Sequence, residues 1–595
     1  MKTIFRGVLV LVAGAFVLLL SLQSLTSPAK IDEQINLATL VATPDSAVEI
    51  SEPVNIDDIP FQDNMEIYQN DEPNSVVTIY LTVRKGNPSD NTDHTWQEIN
   101  DFTKWFYGSF IQVVVDKAEA IVQFGDDSGP LPGEVGYGEI VPNATIQIRG
   151  ASTSDAAQKS YKIELRNRAG EWRGQKTIAL NKHFFDFTRV RNKLNFDLMK
   201  DIPNIVSLRT QFVHLYVKDE TIEPPSETFV DYGLYTQIEQ PNKKFLRNHL
   251  LDSDGQLYKT TFFEFHRYEE DIRLADDPLY DEEAFGTKLE IKGNRDHSKL
   301  IQMLDDVNNY AIPIEQVFEA YFNSDNYFTW LAFNILVGNI DTQSQNFYLY
   351  SPKNSQTWYF IPWDYDGSLN RLYEQYFNYP ERPSWEIGIS NYWGVVLHKR
   401  VLTNKEYRAK LDEKVNELMA FLTPERINSM VEGYRTVADG YLNQMPDLYY
   451  ISGRGGDRDI LYSLIPDEIQ LNYELYKESL EMPMPFFLGT PEVFNGELIF
   501  KWGEAYDFDA QNIEYKFILS KDWEFKEIFY EESLVNLTEL KIAMLEPGTY
   551  FWMVTATNED GKTQQSFDEY RDAERNRHEG MKVLYITSGG QVLEE

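Results

Sequence analysis

The chain has 595 residues, enough for roughly two to four domains, and its 42% hydrophobic and 14% aromatic content can fill sizeable cores. Its 94 acidic side chains against 55 basic ones, net −39, oppose a phosphate backbone, and no basic patch interleaved with aromatics reverses this, so nucleic acid is excluded as a partner. With no cysteine, disulfides, thiolate zinc sites, iron–sulfur clusters and cysteine nucleophiles are excluded together, and any metal must sit on oxygen or imidazole.

Residues 1–29 place Lys2 and Arg6 before an apolar run from Gly7 to Leu20 that ends in small and polar residues. This is the pattern of an export signal, cleaved or retained as an anchor, since the run falls short of the ~20 residues that span a bilayer. Membrane contact is expected only through this segment if it is uncleaved, and the rest of the chain is expected outside the cytoplasm, secreted or anchored at the cell surface. An exported chain without disulfides fits a bacterial surface better than a eukaryotic secretory route.

Residues 30–74 are acidic with scattered Pro and Asp and no sustained period, which predicts a linker. Residues 75–140 read as an N-terminal α/β module. A strand is expected over Ser75–Val83, then a helix from Thr95 to Phe106, opened by the capping-box pair Thr95 and Glu98. Residues 141–480 form the next region, with strands at Ala144–Ile148, Ser160–Leu165, Phe212–Val217 and Gly233–Ile238 and a helix over Asn192–Ile202. Beyond Lys299 the period turns helical, so strand-rich and helix-rich halves predict an α+β arrangement with a cleft between two lobes. Residues 482–595 show short alternating strands with Gly, Pro and Asn turns, a pattern that resembles a fibronectin type III-like or immunoglobulin-like sandwich with its own core.

Several chemistries are missing. Gly170–Thr177 lacks P-loop spacing, no nucleophile elbow or His-Glu-x-x-His occurs, and the eight histidines are dispersed. Carboxylates, amides and lysines remain. Between Gly338 and Gly367, "GNIDTQSQNFYLYSPKNSQTWYFIPWDYDG", the aromatic runs Asn346–Tyr350 and Thr357–Ile361 flank a polar turn and predict an antiparallel hairpin. Its outer ends bring Asp341 and Asn346 beside Asp364 and Asp366. Such hard oxygen ligands suit magnesium or manganese held partly by substrate phosphates. Protein kinases use an Asp followed five positions later by a metal-binding Asn and then a second metal Asp, and Asp341, Asn346 and Asp364 repeat that order. A cation for the phosphates is offered by "RGASTSDAAQKSYKIELR", a small-residue loop from Arg149 that leads to Lys159 at the loop-to-strand junction and Lys162 within the strand. Lys159 is the preferred phosphate contact, and Lys162 alternatively pairs with Glu164 on a solvated strand face.

These residues resemble the spore-coat protein H (CotH) kinase family of atypical kinases. The likeness rests on "IRGASTSDAAQKSYKIEL", "RNKLNFDLMKDI", "FVHLYV" with "YGLYTQIEQPNKKFL", "GNIDTQSQNFYLY" and "WYFIPWDYDGSL", in the family's order from about Val141 to Ser368. The resemblance implies a divergent kinase fold that uses ATP with Mg2+ or Mn2+ to phosphorylate serine or threonine on extracytoplasmic surface or coat proteins. It implies Asp341 as the catalytic aspartate, Asn346 and Asp364 as metal ligands and Lys159 as the phosphate-contacting lysine, and the residues themselves add Asp366 to the metal site and Arg149 and Lys162 to the nucleotide side. Glu239 would orient the lysine or line the nucleotide pocket. Thr342–Gln345 is neutral where many members carry a basic residue, and the N-terminal module and the sandwich lie outside the family pattern. Two other readings stay open. One is a non-catalytic surface or coat scaffold whose sandwich binds a polymer or protein partner; the other is a metal-dependent sugar-nucleotide transferase built on Asp-Tyr-Asp.

Overall fold

The computed structural model describes residues 61–106, 109–110, 114–451, 457–574 and 576–593, so the export segment and most of the acidic stretch lie outside the described residues. Seven strands form a ring: β1 (Val76–Arg84), β2 (Lys117–Asp126), β3 (Ala144–Arg149), β4 (Ser160–Leu165), β5 (Thr177–Asn181), β6 (Thr210–Asp219) and β7 (Val230–Glu239). Their spatial order is β1-β6-β7-β5-β4-β3-β2, and β2 returns to pair with β1, Thr78 opposite Gly125. Closure leaves no long open edge. Only β1 and β6 run parallel, Val76 opposite Phe212. The alternation in β3 shows how sequence sets the two surfaces: Ala144, Ile146 and Ile148 are buried inside, whereas Thr145, Gln147 and Arg149 face outward. β4 repeats this with Ile163 and Leu165 inside and Lys162 and Glu164 outside.

Three expectations need revision. The boundary at residue 140 falls within the ring, because β2 bonds to β3 and residues 75–140 therefore share one sheet with the strands beyond residue 140. The helix expected to reach Phe106 keeps its capping box but ends at Asp101 (α1, Trp96–Asp101), where Phe102 turns extended. The segment expected as linker is packed from Phe61 onward. Phe61 is buried and stacks on Tyr359 with ring centroids 4.3 Å apart, and Asp63 contacts His249. A single aromatic and a single paired carboxylate anchor a stretch that has no periodicity to reveal it.

The second core is helical, with a four-stranded sheet in it. Strands β8 (Gln256–Thr260), β9 (Leu289–Ile291), β10 (Phe347–Ser351) and β11 (Tyr359–Pro362) lie in the order β9-β8-β10-β11, and β10 and β11 are the expected hairpin, Phe347 opposite Pro362. Around it pack α2 (Arg191–Met199), α3 (Ser324–Leu336), α4 (Lys405–Phe421), α5 (Pro424–Leu442) and α6 (Arg458–Glu481). α3 is buried throughout from Asn326 to Leu336, and the Asn326 amide ties it to the hairpin, its Oδ1 accepting from Phe360 N at 2.7 Å. After α6 two antiparallel sheets, including Glu497–Lys501 in one and Glu514–Ser520 and Gly548–Thr557 in the other, enclose a separate core with Phe500, Phe517 and Trp552 at its centre. The sandwich is docked on the helical core: Met484 lies in that core, and Phe567 sits 5.4 Å from Trp385. Among the described residues no helix is long and apolar enough to cross a membrane.

Candidate active site

α3 is followed by Gly338, whose φ of +61° favours glycine, and a Cβ there would lie 2.7 Å from the Asn472 amide of α6. The chain then makes a single tight turn, Ile340–Thr342, that carries Asp341. Asn346 follows in the left-handed region at φ +60°, and at the far end of the hairpin Asp364 adopts φ +59°, conformations that Asn and Asp tolerate better than most residues. The two ends are stitched together, since Asn339 Nδ2 donates to the Asp364 carbonyl at 3.2 Å. α2 holds the loop after Asp364: Asn192 Oδ1 accepts from Tyr365 N at 3.2 Å, Asn195 Nδ2 donates to Ser368 Oγ at 2.8 Å, and Arg191 Nε donates to the Leu369 carbonyl at 2.9 Å. The "RNKLN" segment thus acts on the site through its amides.

Asp341, Asp364 and Asp366 act on one another electrostatically. Burial, then the charge of Asp366, raises the Asp364 carboxyl to about 8, with Arg149 and Lys259 opposing and Asp341 adding to the rise. Asp341 opens onto solvent, yet the protein around the cleft and the charge of Asp366 raise its pKa, against Arg382 and Arg577. Asp366 is held from behind by His183, whose Nδ1 lies 3.4 Å from its Oδ2. Among the described residues no three His, Asp or Glu side chains converge to hold an ion by themselves. A cation here would therefore use Asn346 and the carboxylates together with oxygens brought by a ligand.

The expected cations separate into two groups. Arg149 is at the acidic cluster: its guanidinium lies 5.6 Å from the Trp363 ring, bonds Asn181 Oδ1, and feels Asp364 and Asp366. Lys162 shares the outer face of the ring with Arg149, pairs with Glu164 at 2.9 Å, and belongs to a basic wall with Lys104, Lys259 and Arg149, whose mutual repulsion adds to burial in lowering the Lys104 pKa. Lys159 is not brought to that wall. Its Nζ donates to the Ser154 carbonyl at 2.7 Å, its charged neighbours are Asp155 and Asp101, and it lines a separate pocket of about 340 Å3 with Tyr161, Tyr232 and Tyr450. Glu239 is buried against Arg209, at 2.6 Å, and His249, at 3.1 Å. Burial alone would raise it, but these two partners hold it down at about 2, and neither Lys159 nor Lys162 touches it.

The CotH kinase protein family model matches residues 146–478, more than half of the chain. The chain belongs to the CotH kinase protein family. The inner spore coat protein H of Bacillus subtilis (strain 168) is similar, 24% identical over 254 residues, which cover 41% of this chain and 64% of that protein, less than two thirds of its length. The CotH match begins in β3 and ends in α6. It takes in Arg149, Lys162, Asp341, Asn346 and Asp364 and stops short of the sandwich. The CotH region is α+β, as the kinase-like resemblance implies, with the sheet-rich sandwich appended. His183, Lys259, Arg382 and Arg577, which the electrostatics place around the acidic cluster, carry no sequence signal, because each comes from a segment remote from the hairpin.

Proposed function

We propose that this chain is a protein kinase of the CotH family, dependent on magnesium or manganese, that phosphorylates serine or threonine of coat or surface proteins outside the cytoplasm. One observation carries the reading: the hairpin ends bring Asp341, Asp364 and Asp366 within electrostatic reach of one another, burial and then the Asp366 charge raise the proton affinity of Asp341 and Asp364, and Arg149 and Lys259 oppose the rise at Asp364. Crowded carboxylates beside an amide are a hard-oxygen donor set whose repulsion a divalent cation relieves, and the basic wall complements phosphate oxygens. The residues present therefore fit metal–ATP. When bound, metal–ATP supplies the phosphoryl group and neutralises part of its charge. Asn346 and Asp364 would hold the metal, with Asp366 kept in place by His183. Arg149 and Lys162 would bind the phosphates. Asp341, which faces solvent, would receive the proton of an acceptor hydroxyl. The location outside the cytoplasm rests on the export pattern of residues 1–29 and on the coat protein among its relatives.

The test is incubation of the chain with γ-labelled ATP and magnesium or manganese, alone and with surface-protein extract. Label on serine or threonine is expected. If the chain binds ATP with neither metal and labels nothing, a scaffold role replaces the kinase, and binding of sugar nucleotides alone would favour a transferase.

A further inference from the structure

We propose that the C-terminal sandwich is a working part of the catalytic apparatus: through Gln564, Phe567 and Arg577 it fixes the segment 384–392, and that segment fixes the turn carrying Asp341. The consequence for turnover rests on the kinase reading above; the mechanical link does not.

The segment lies between sandwich and catalytic turn and bonds to both. On the sandwich side, Ser384 Oγ donates to Gln564 Oε1 and accepts from Gln565 N at 3.1 Å, and Gln564 Nε2 donates to Ser390 Oγ at 3.4 Å. Trp385 is packed between Phe567, 5.4 Å away, and the Arg577 guanidinium, 5.6 Å from its ring, while Arg577 also pairs with Glu386 at 3.4 Å. On the other side, Asn391 Nδ2 donates to the Ile340 carbonyl at 3.0 Å. The Tyr392 hydroxyl lies 2.9 Å from Thr342 Oγ1, which donates to the Asn339 carbonyl at 2.8 Å. Asp341 sits between these anchored neighbours.

The segment has no slack to absorb movement. Ser390, Asn391 and Tyr392 are buried, as is Gln564, which is 0% exposed. Gly388 has φ +46°, a Cβ on it would lie 2.1 Å from Ser479 Oγ, and Ile389 N donates to that same hydroxyl at 3.1 Å, so α6 closes the third side. Close-packed side chains tied by hydrogen bonds on both sides transmit displacement instead of deforming. Arg577 also sends its charge toward Asp341, opposing the rise in that carboxyl's pKa, as does Arg382. The neutral stretch Thr342–Gln345 provides no such charge, so the sandwich contributes one from outside the matched family region. Arg577 is a positioning residue.

The experiment uses the full chain with Gln564→Ala, Arg577→Ala and Arg577→Lys. Arg577 is 37% exposed and also pairs with Glu569 and Glu579 within the sandwich, so the melting temperature and the protection of the sandwich strands show whether its variants keep the fold. Amide hydrogen exchange over residues 339–345, affinity for magnesium–ATP, turnover and melting temperature are read together. Exchange over 339–345 is expected to quicken by about tenfold in both alanine variants while the sandwich strands stay protected. Turnover should fall about tenfold or more at nearly unchanged nucleotide affinity, and Arg577→Lys should recover most of it. Unchanged protection of 339–345 in both alanine variants would overturn the proposal, as would equal losses in Arg577→Lys and Arg577→Ala. A wild-type chain that transfers no phosphate would sink the kinase reading instead, and the exchange data would still decide the coupling.

Discussion

Burial and the Asp366 charge, which on the proposed reading would suit Asp364 to a cation, also cost the fold when no cation is bound. The Asp364 carboxyl's folded pKa of about 8 stands above the ordinary 3.8, so the stability it contributes when protonated is full below about 4 and is lost as pH rises through about 8. Without metal, Asp364→Asn should therefore melt higher than the wild type above pH 8, by on the order of 1–2 kcal/mol, and show little difference near pH 4. Thermal melts across that range check the sign. The cations permit a second comparison: Lys162→Ala should weaken metal–ATP binding by about tenfold, while Lys159→Ala, remote from the cluster, should change it by less than about twofold, as calorimetry would show. The hairpin that brings Asp341 and Asn346 toward Asp364 and Asp366 was legible in the sequence, from two aromatic runs flanking a polar turn. The choice between Lys159 and Lys162 was not. Position at a loop-to-strand junction says nothing about which way a side chain leaves, and in the fold Lys159 turns back to the Ser154 carbonyl while Lys162 lies on the ring's outer face. His183 and Lys259 were invisible for a related reason: only long-range folding brings them to the hairpin.

Among the elements, α3 and the β10–β11 hairpin set the geometry of the turn that carries Asp341, and Gly338 is the joint between them. Gly338→Ala would force a Cβ into the left-handed region and against Asn472, at a cost of about 1–2 kcal/mol, and should loosen the turn of Asp341, visible as a lower melting temperature with faster exchange after residue 338. β7 ends in a different device. There His249, between Asp63 and Glu239, is raised from 6.5 to about 9 by those two carboxylates, which overcome a burial that would lower it. Its contribution to stability is full below about 6.5 and is lost as pH rises through about 9. His249→Gln should accordingly cost about 3 kcal/mol at pH 6 and clearly less at pH 9.5, measured by denaturant unfolding. Individual strands and helices were legible from alternation and helical spacing, down to the capping box of α1. The closure of the ring was not, because the pairing of β1 with β2 and β6 depends on register between distant segments. Nor was the anchoring of residues 61–63, which rests on one ring and one ion pair.

At the scale of the molecule, the sandwich has its own core but shares a seam with the helical region along Trp385, Trp393, Phe508 and Phe567. The alternating strands announced a separable module, and the shared seam gave no sign in sequence because its residues are scattered from 385 to 567. A chain ending at Glu481 would bare Trp385 and Trp393 and remove Met484 from the main core, so it should melt several degrees lower and associate in solution, as scanning calorimetry and light scattering would reveal. On the proposed kinase reading, two aspartates would divide the labour, Asp364 holding the metal and Asp341 taking the proton. The most direct measurement of that division sets magnesium–ATP affinity beside single-turnover phosphate transfer for the wild type, Asp341→Asn and Asp364→Asn. Asp341→Asn should bind metal–ATP as the wild type does and transfer phosphate ~10²–10⁴ times more slowly, whereas Asp364→Asn should lose the metal-dependent part of the affinity. Wild-type transfer by Asp341→Asn, or metal-dependent binding undiminished in Asp364→Asn, would contradict it.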